Sequence, residues 1–283
     1  MNQTLFTKLL ILIVSLFFLQ QWVVEKSHGF TLLSIKPDVA YNLEWEIDPL
    51  PHEEMRQVES ILSQKFHYLT RGGQAYVFVS EDGEYVIKFF KQRIHLLGKY
   101  FFSHKRIDKL HAKSHRDRMS YKLAFEALRD RTALIYFHAN QTANLETNFV
   151  LVDKVPIEHQ MDLNQYAFCL QKRVVPSCEY LTRLIQEGEL DKAKEAVTEI
   201  IALSKDHLEK GIVDGDSRVL YNIGFINDKA ILLDAGQLKR VNKDQYAHLH
   251  QVKIKELMRP LTLFFEKNSP ELATYVKEQV DAL

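Results

Sequence analysis

Apolar residues along the chain fall into runs of different period, and the first run is the longest. Residues 5–24 read LFTKLLILIVSLFFLQQWVV, apolar from Leu9 to Leu19 apart from Ser15, and again from Trp22 to Val24. A run this long predicts a helix able to span a bilayer, with Lys8 and the glutamines near the interfaces. Residues 25–50 are mixed and predict a connector. HEEMRQVESILSQKF (52–66) sets Met55, Val58, Ile61 and Leu62 at helical spacing. HYLTRGGQAYVFVSEDGEYVIKFFKQ (67–92) changes period and predicts strand, glycine turn, strand, Asp82-Gly83 hairpin, strand. RMSYKLAFEALRDRTALIYF (118–137) predicts an amphipathic helix running into an apolar segment, and 147–155 and 165–175 predict two further strands. Residues 179–210 predict helix closed by Gly211, and 243–283 two helices parted near Lys267–Pro270. Strands come first and helices after, with one helix inserted among the strands. That order predicts an α+β fold of two unequal lobes rather than an alternating parallel sheet.

The 283 residues suffice for one large domain or two lobes. A content of 46 % hydrophobic and 26 % charged residues sets the chain among globular proteins and against a disordered one. Lys plus Arg and Asp plus Glu both number 37, so overall charge selects no partner. The two cysteines, Cys169 and Cys178, form no C-x-x-C pair, which argues against a thiolate zinc site. They read as two thiols, with a disulfide open to them only in an oxidising compartment. His111 and His115 stand four apart with no third ligand in view, and read as polar helix residues.

Three polar residues interrupt the apolar stretch GIVDGDSRVLYNIGFINDKAILLDAG (211–236): Asp216, Asn222 and Asp234. A hairpin with polar turns is one reading. A site for a divalent metal and phosphoryl transfer is the other, because carboxylate and carboxamide oxygens are hard ligands. Upstream, the glycine turn Arg71-Gly72-Gly73-Gln74-Ala75-Tyr76-Val77 is followed by a strand ending Val86-Ile87-Lys88. This order resembles the protein-kinase-like superfamily. Asp214-Gly215-Asp216 is similar to its catalytic H-x-D with Asp in place of His, Asn222 to its loop asparagine, and Asp234-Ala235-Gly236 to D-F-G. Asn222 follows Asp216 by six residues, one more than the family pattern, while Asp234 still lies eighteen beyond Asp216. Nothing like A-P-E follows, and 47 residues remain after Gly236. A short C-terminal lobe of this kind resembles the small-molecule and atypical branches.

The resemblance covers about residues 60–240 and implies a protein-kinase-like two-lobed fold, with an antiparallel-sheet N-lobe and a reduced helical C-lobe behind the hydrophobic helix. The corresponding boundaries are 1–26 for the anchor or signal segment, 27–59 for the connector, 60–175 for the N-lobe and 176–283 for the C-lobe. It implies ATP and Mg²⁺ as cofactors. Gly72 and Gly73 would approach the phosphates through backbone N–H groups, and Lys88 would pair with the phosphates, held by Glu126 in YKLAFEALRD. Gln171 and Lys172, before Arg173, would lie at the adenine hinge. Asn222 and Asp234 would hold metal, and Asp216 would orient the attacking hydroxyl. The alternative is a pseudokinase, a binding or adaptor protein with the same fold and no turnover. The acceptor is not legible.

Residues 91–122 hold ten Lys or Arg against Asp108 and Asp117, interleaved with Tyr100, Phe101 and Phe102. This basic insertion reads either as a solvated helical face or as a patch for anionic lipid beside the anchor. No nucleic-acid motif accompanies the charge, which argues against nucleic acid; a protein partner stays open. The N-terminal run has three readings: an uncleaved anchor, a cleaved signal peptide and a buried helix. No small-x-small cleavage site follows it. A site using ATP belongs in the cytoplasm, so the expected arrangement is a single-pass N-terminal anchor with a cytoplasmic domain. Export behind a signal peptide is the alternative.

Overall fold

The computed structural model describes residues 3–37, 39–92, 102–216, 218–242 and 250–282. Its helices are α1 (Gln3–Ser27), α2 (His52–Leu62), α3 (His104–Ala127), α4 (Arg129–Thr132), α5 (Ser177–Gln186), α6 (Leu190–Glu209), α7 (Val219–Asn222), α8 (His250–Asn268) and α9 (Pro270–Asp281). The first six strands are β1 (Lys65–Arg71), β2 (Ala75–Ser80), β3 (Tyr85–Phe90), β4 (Leu134–His138), β5 (Phe149–Val152) and β6 (Glu158–Met161). The other six are β7 (Phe168–Lys172), β8 (Val175–Pro176), β9 (Ile212–Asp214), β10 (Ile223–Ile226), β11 (Lys229–Leu232) and β12 (Leu238–Arg240). The class is mixed α+β with a leading hydrophobic helix. The expected kinase-like two-lobed architecture is not established by this topology. Two compact units divide the chain: residues 1–41, 50–110 and 140–168, and residues 42–49, 111–139 and 169–283.

In the first unit the strands lie in the order β3-β2-β1-β5-β6. Neighbours are antiparallel except β1 and β5, which run parallel with Phe66 opposite Leu151. The sheet is therefore mixed, not purely antiparallel, because β5 follows a long excursion of the chain rather than a hairpin. One face is aromatic. Phe66, Phe78, Phe89 and Phe149 are buried. Phe78 and Phe89 meet edge-on at 5.9 Å, as do Phe89 and Phe149. Helix α2 adds Val58 and Leu62 to this unit's core.

Thr7–Ser27 of α1 forms a helix long and apolar enough to cross a membrane, and none of its best window is buried against protein. It stops at a glycine turn. The Gly29 N–H donates to the Val24 carbonyl at 2.9 Å with φ of 71° at Gly29, the left-handed region that glycine enters without strain. Phe30 is buried next, edge-on to Tyr76 and Phe78 at 5.2 Å each.

The second unit has more strands than expected of a helical lobe. β8, β10 and β11 form one antiparallel sheet, and β9 pairs with β12. The helix expected to run into an apolar segment within 118–137 ends at Ala127. A left-handed Ala133 (φ 52°) then turns the chain into β4, whose Leu-Ile-Tyr-Phe run suits a buried strand. The helix expected over 179–210 splits at Gly188 (φ 74°) into α5 and α6. The break between α8 and α9 falls near the expected Lys267–Pro270. Residues 243–249 of that tail lie outside the described residues, as do 93–101 of the basic insertion.

Gly224 fixes the approach of β10 to β8. A Cβ there would sit 2.4 Å from the Val175 carbonyl oxygen and 2.5 Å from Val174 Cγ1. We expect Gly224→Ala to cost about 1–3 kcal/mol, read as a lower urea midpoint. An unchanged midpoint would show that the two strands separate freely.

Candidate active site

The second unit holds all three polar residues picked out in 211–236. β9 carries the chain to Asp214, and pairing with β12 sets Asp214 opposite Leu238. Gly215 continues the ladder, its N–H donating to the Gln237 carbonyl at 3.1 Å. The turn beyond is tied by side chains. Asp214 Oδ1 accepts the Asp216 N–H at 2.9 Å, and Asp216 Oδ1 accepts the Arg218 N–H at 3.1 Å. Arg218 closes back on Asp216, Nε reaching both carboxylate oxygens at 3.0 Å and Nη2 reaching Oδ2 at 2.5 Å. Gln237 Nε2 adds a bond to Asp216 Oδ2 at 3.2 Å.

Asn222 ends α7 and joins this turn to the next. Its carbonyl accepts the N–H of Leu233 at 2.6 Å and of Asp234 at 3.3 Å. Asp234 Oδ1 then accepts the Tyr121 hydroxyl and the Gly236 N–H, both at 3.1 Å. The Ser120 hydroxyl donates to the Ala235 carbonyl at 2.5 Å and accepts the Leu238 N–H at 2.6 Å. Helix α3 thus holds the Asp-Ala-Gly turn through two consecutive residues.

The charges are unequal. Burial, with Asp216 and Asp234 close by, pushes the Asp214 carboxyl up to about 7. The Arg218 guanidinium holds Asp216 below the usual carboxylate range. Burial beside Asp234 pushes the Tyr121 phenol well above its ordinary value, which keeps it a donor. A cavity of about 300 Å³ opens here, lined by Ser204, His207, Asp214, Asp216, Asn222 and Lys239 among others. His207, mostly buried, is pushed down to about 4, chiefly by desolvation.

Asn222 is buried, and its amide helps hold Asp216 in the charged form. Yet its Nδ2 makes no hydrogen bond of ordinary geometry. Among the described residues no group of three His, Cys, Asp or Glu forms a metal site. The expected pair, Asn222 and Asp234, offers two oxygen-bearing side chains, a number compatible with Mg²⁺, which fills the rest of its shell with water and phosphate oxygens.

No family model and no curated protein matches the chain. Solved structures match it distantly. The 2.2 Å crystal structure of WbdD, a bifunctional kinase-methyltransferase, aligns at 16 % identity and a TM-score of 0.38, over 68 % of this chain and 37 % of that one. WbdD with the kinase inhibitor LY294002 aligns at 14 % identity and 0.39, over 76 % and 45 %. The Rv3197–erythromycin complex from Mycobacterium tuberculosis aligns at 14 % and 0.32, over 77 % and 60 %. The chain spans 34 to 60 % of the length of these structures. Scores this low carry no argument about the chain, and the site rests on its own residues.

The remaining candidates are placed as follows. Lys88 is buried on β3 of the first unit, opposite Val77 of β2. Gly72 and Gly73 form the β1–β2 turn, closed by the Gly72 N–H to the Ala75 carbonyl at 2.9 Å, while a Cβ on Gly73 would meet nothing. Glu126 is half-exposed on α3 and pairs with Lys122 at 3.5 Å; the buried acid of that helix is Asp117. Gln171 is buried, and its Nε2 holds the carbonyls of Thr132 and Leu232 at 2.5 and 3.3 Å. The Lys172 N–H donates to the Ala133 carbonyl at 3.0 Å. Cys169 is buried and Cys178 half-buried, both unbridged.

The basic helix is only partly a solvated face. Arg118 is buried over the Trp45 ring at 4.7 Å, and Trp45 Nε1 donates to His115 Nδ1 at 3.0 Å. The residues that spacing did not mark are Ser120, Tyr121, Arg218 and His207. An Asp two positions before Asp216 was visible, but nothing in the sequence marked it as a carboxyl that holds its proton.

His207 and Asp214 face one cavity with opposite linkage. From about 4 to 6.5 the unfolded imidazole binds a proton that the folded one does not, so His207 makes stability rise with pH. From 3.8 to about 7 the folded Asp214 keeps a proton that the unfolded one has released, so it makes stability fall as pH rises. We expect Asp214→Asn to leave a urea midpoint that climbs across the shared window, and His207→Gln one that declines. Equal slopes in the two variants would refute the assignment.

Proposed function

We propose that the protein is a membrane-associated, ATP- and Mg²⁺-dependent phosphotransferase of the protein-kinase-like superfamily, with the domain on the cytoplasmic side. The observation that supports this most is the tying of the Asp216 turn to the Asp-Ala-Gly turn through the Asn222 carbonyl. It brings a carboxylate, a carboxamide and a second carboxylate to neighbouring loops, as transfer of a γ-phosphoryl to a hydroxyl needs. Asn222 and Asp234 would hold Mg²⁺, which supplies charge to the phosphates when bound. Asp216 would orient the acceptor hydroxyl and take its proton, and its lowered pKa keeps it ionised for that role. Lys88, with the Gly73 N–H, would engage phosphate oxygens. Glu126 would be the acid that holds Lys88. Gln171 and Lys172 would flank adenine.

One observation favours the second reading, a pseudokinase-type binding protein. Both oxygens of Asp216 are engaged by Arg218, so the base is already neutralised. Residues 91–122 would then serve a lipid or protein partner.

Calorimetry of the full chain in detergent, with ATP in the presence and absence of Mg²⁺, separates these readings. We expect Mg²⁺-dependent binding, weakened at least tenfold by Lys88→Ala and by Asp234→Ala, with Asp216→Asn retaining affinity and losing turnover. Binding without turnover against hydroxyl acceptors, unchanged by Arg218→Ala, would move the assignment to the binding protein. A folded chain that binds no ATP would end the phosphotransferase reading.

A further inference from the structure

We propose that the β5–β6 turn of the first unit, beside the root of α1, is a second membrane contact, seated in the anionic headgroup layer of the leaflet that α1 enters there. The inference rests on α1 crossing the bilayer. The span Thr7–Ser27 has 21 residues, about 31 Å of helix at 1.5 Å per residue, which matches a hydrocarbon core of about 30 Å. The interface therefore falls at Ser27, and no free linker follows. His28 Nδ1 bonds the Tyr68 hydroxyl at 2.9 Å, and the Tyr76 hydroxyl donates to the Gly29 carbonyl at 2.7 Å. Arg71 bonds the His28 carbonyl, and Lys154 meets His28 Nε2. The sheet is fixed to the root of the anchor within three residues of the bilayer.

Strand direction decides which groups share that end. β1 finishes there at Arg71, β3 leads there into Lys91, and the parallel β5 finishes there before the β5–β6 turn. Lys26, Arg71 and Lys154 are the cations at the root of α1, while Lys91 is bonded to the Gly72 carbonyl at the glycine turn. Of the nearby acids among the described residues, Asp153 is turned inward to His159 at 2.9 Å and Glu158 is paired with Lys65 at 2.6 Å, leaving Glu25 on the helix. The turn reads Lys154-Val155-Pro156-Ile157, with Val155 45 % and Ile157 54 % exposed. Asp153 Oδ1 accepts the N–H of Val155 at 2.8 Å and of Ile157 at 3.1 Å, and Pro156 has no N–H. These apolar side chains can enter the interface without stranding those donors, while the cations meet phosphate and serine headgroups.

The test uses the full chain in lipid nanodiscs of phosphatidylcholine with phosphatidylserine, in a Cys169→Ala, Cys178→Ala background. A fluorophore is placed at Val155→Cys, at Phe17→Cys within α1, or at Glu84→Cys beside the β2–β3 hairpin at the opposite end of the sheet. Spin-labelled lipids are the quencher. We expect strong quenching at 17, quenching at 155 several-fold above that at 84, and a drop at 155 when phosphatidylserine is omitted. Quenching at 17 with 155 no higher than 84 overturns the inference and leaves the anchor standing. No quenching at 17 overturns both. The unsubstituted chain gives a second measurement: tryptic cleavage after Lys154 should be several-fold slower in anionic nanodiscs than in detergent, and equal rates overturn the inference.

Discussion

The grip of α3 on the turn after Asp234 is the interaction on which the candidate site depends. Ser120 both donates to and accepts from that turn, and Tyr121 donates to the carboxylate itself. Both residues are buried, so losing either would strand polar atoms away from water. The turn leads straight into β12, and β12 is the partner of β9. A helix between the strands of the sequence thereby sets the position of Asp214 and Asp216, almost a hundred residues further on.

Three carboxyl groups collected in one unit repel each other, and the protein answers each differently. Asp216 receives a guanidinium, Asp234 receives a phenol and a backbone N–H, and Asp214 keeps its proton until about pH 7. The neutral Asp214 can sit where an ionised group would oppose its neighbours. Its Oδ1 still orders the turn by accepting from Asp216. Asp214 is thus a packing and hydrogen-bonding element of the turn.

The first unit answers a different constraint. An aromatic sheet face needs cover, and Phe30 supplies part of it directly after the membrane-length helix. Covering the core and ending the membrane-length helix are therefore one event, since Phe30 follows the Gly29 turn directly.

Much of this was legible from local pattern. The length of the apolar run at 5–24, the period-two alternation through 67–92 and the Asp82-Gly83 hairpin fix their elements because each depends on neighbours in sequence. Asp216, Asn222 and Asp234 stood out because polar residues interrupt an apolar run. The parallel pairing of β5 with β1, the left-handed turn at Ala133 and the polar edge strand β6 were not legible, since each is stabilised by contacts distant in sequence. The same holds for function. Spacing gave no sign that Asp117 is buried on α3, or that Arg118 leaves the basic face to lie on Trp45. Sequence alone determined which chemistry the chain carries. Tertiary structure decided which of those groups lose their water, and with it which hold charge, which hold protons and which hold the fold.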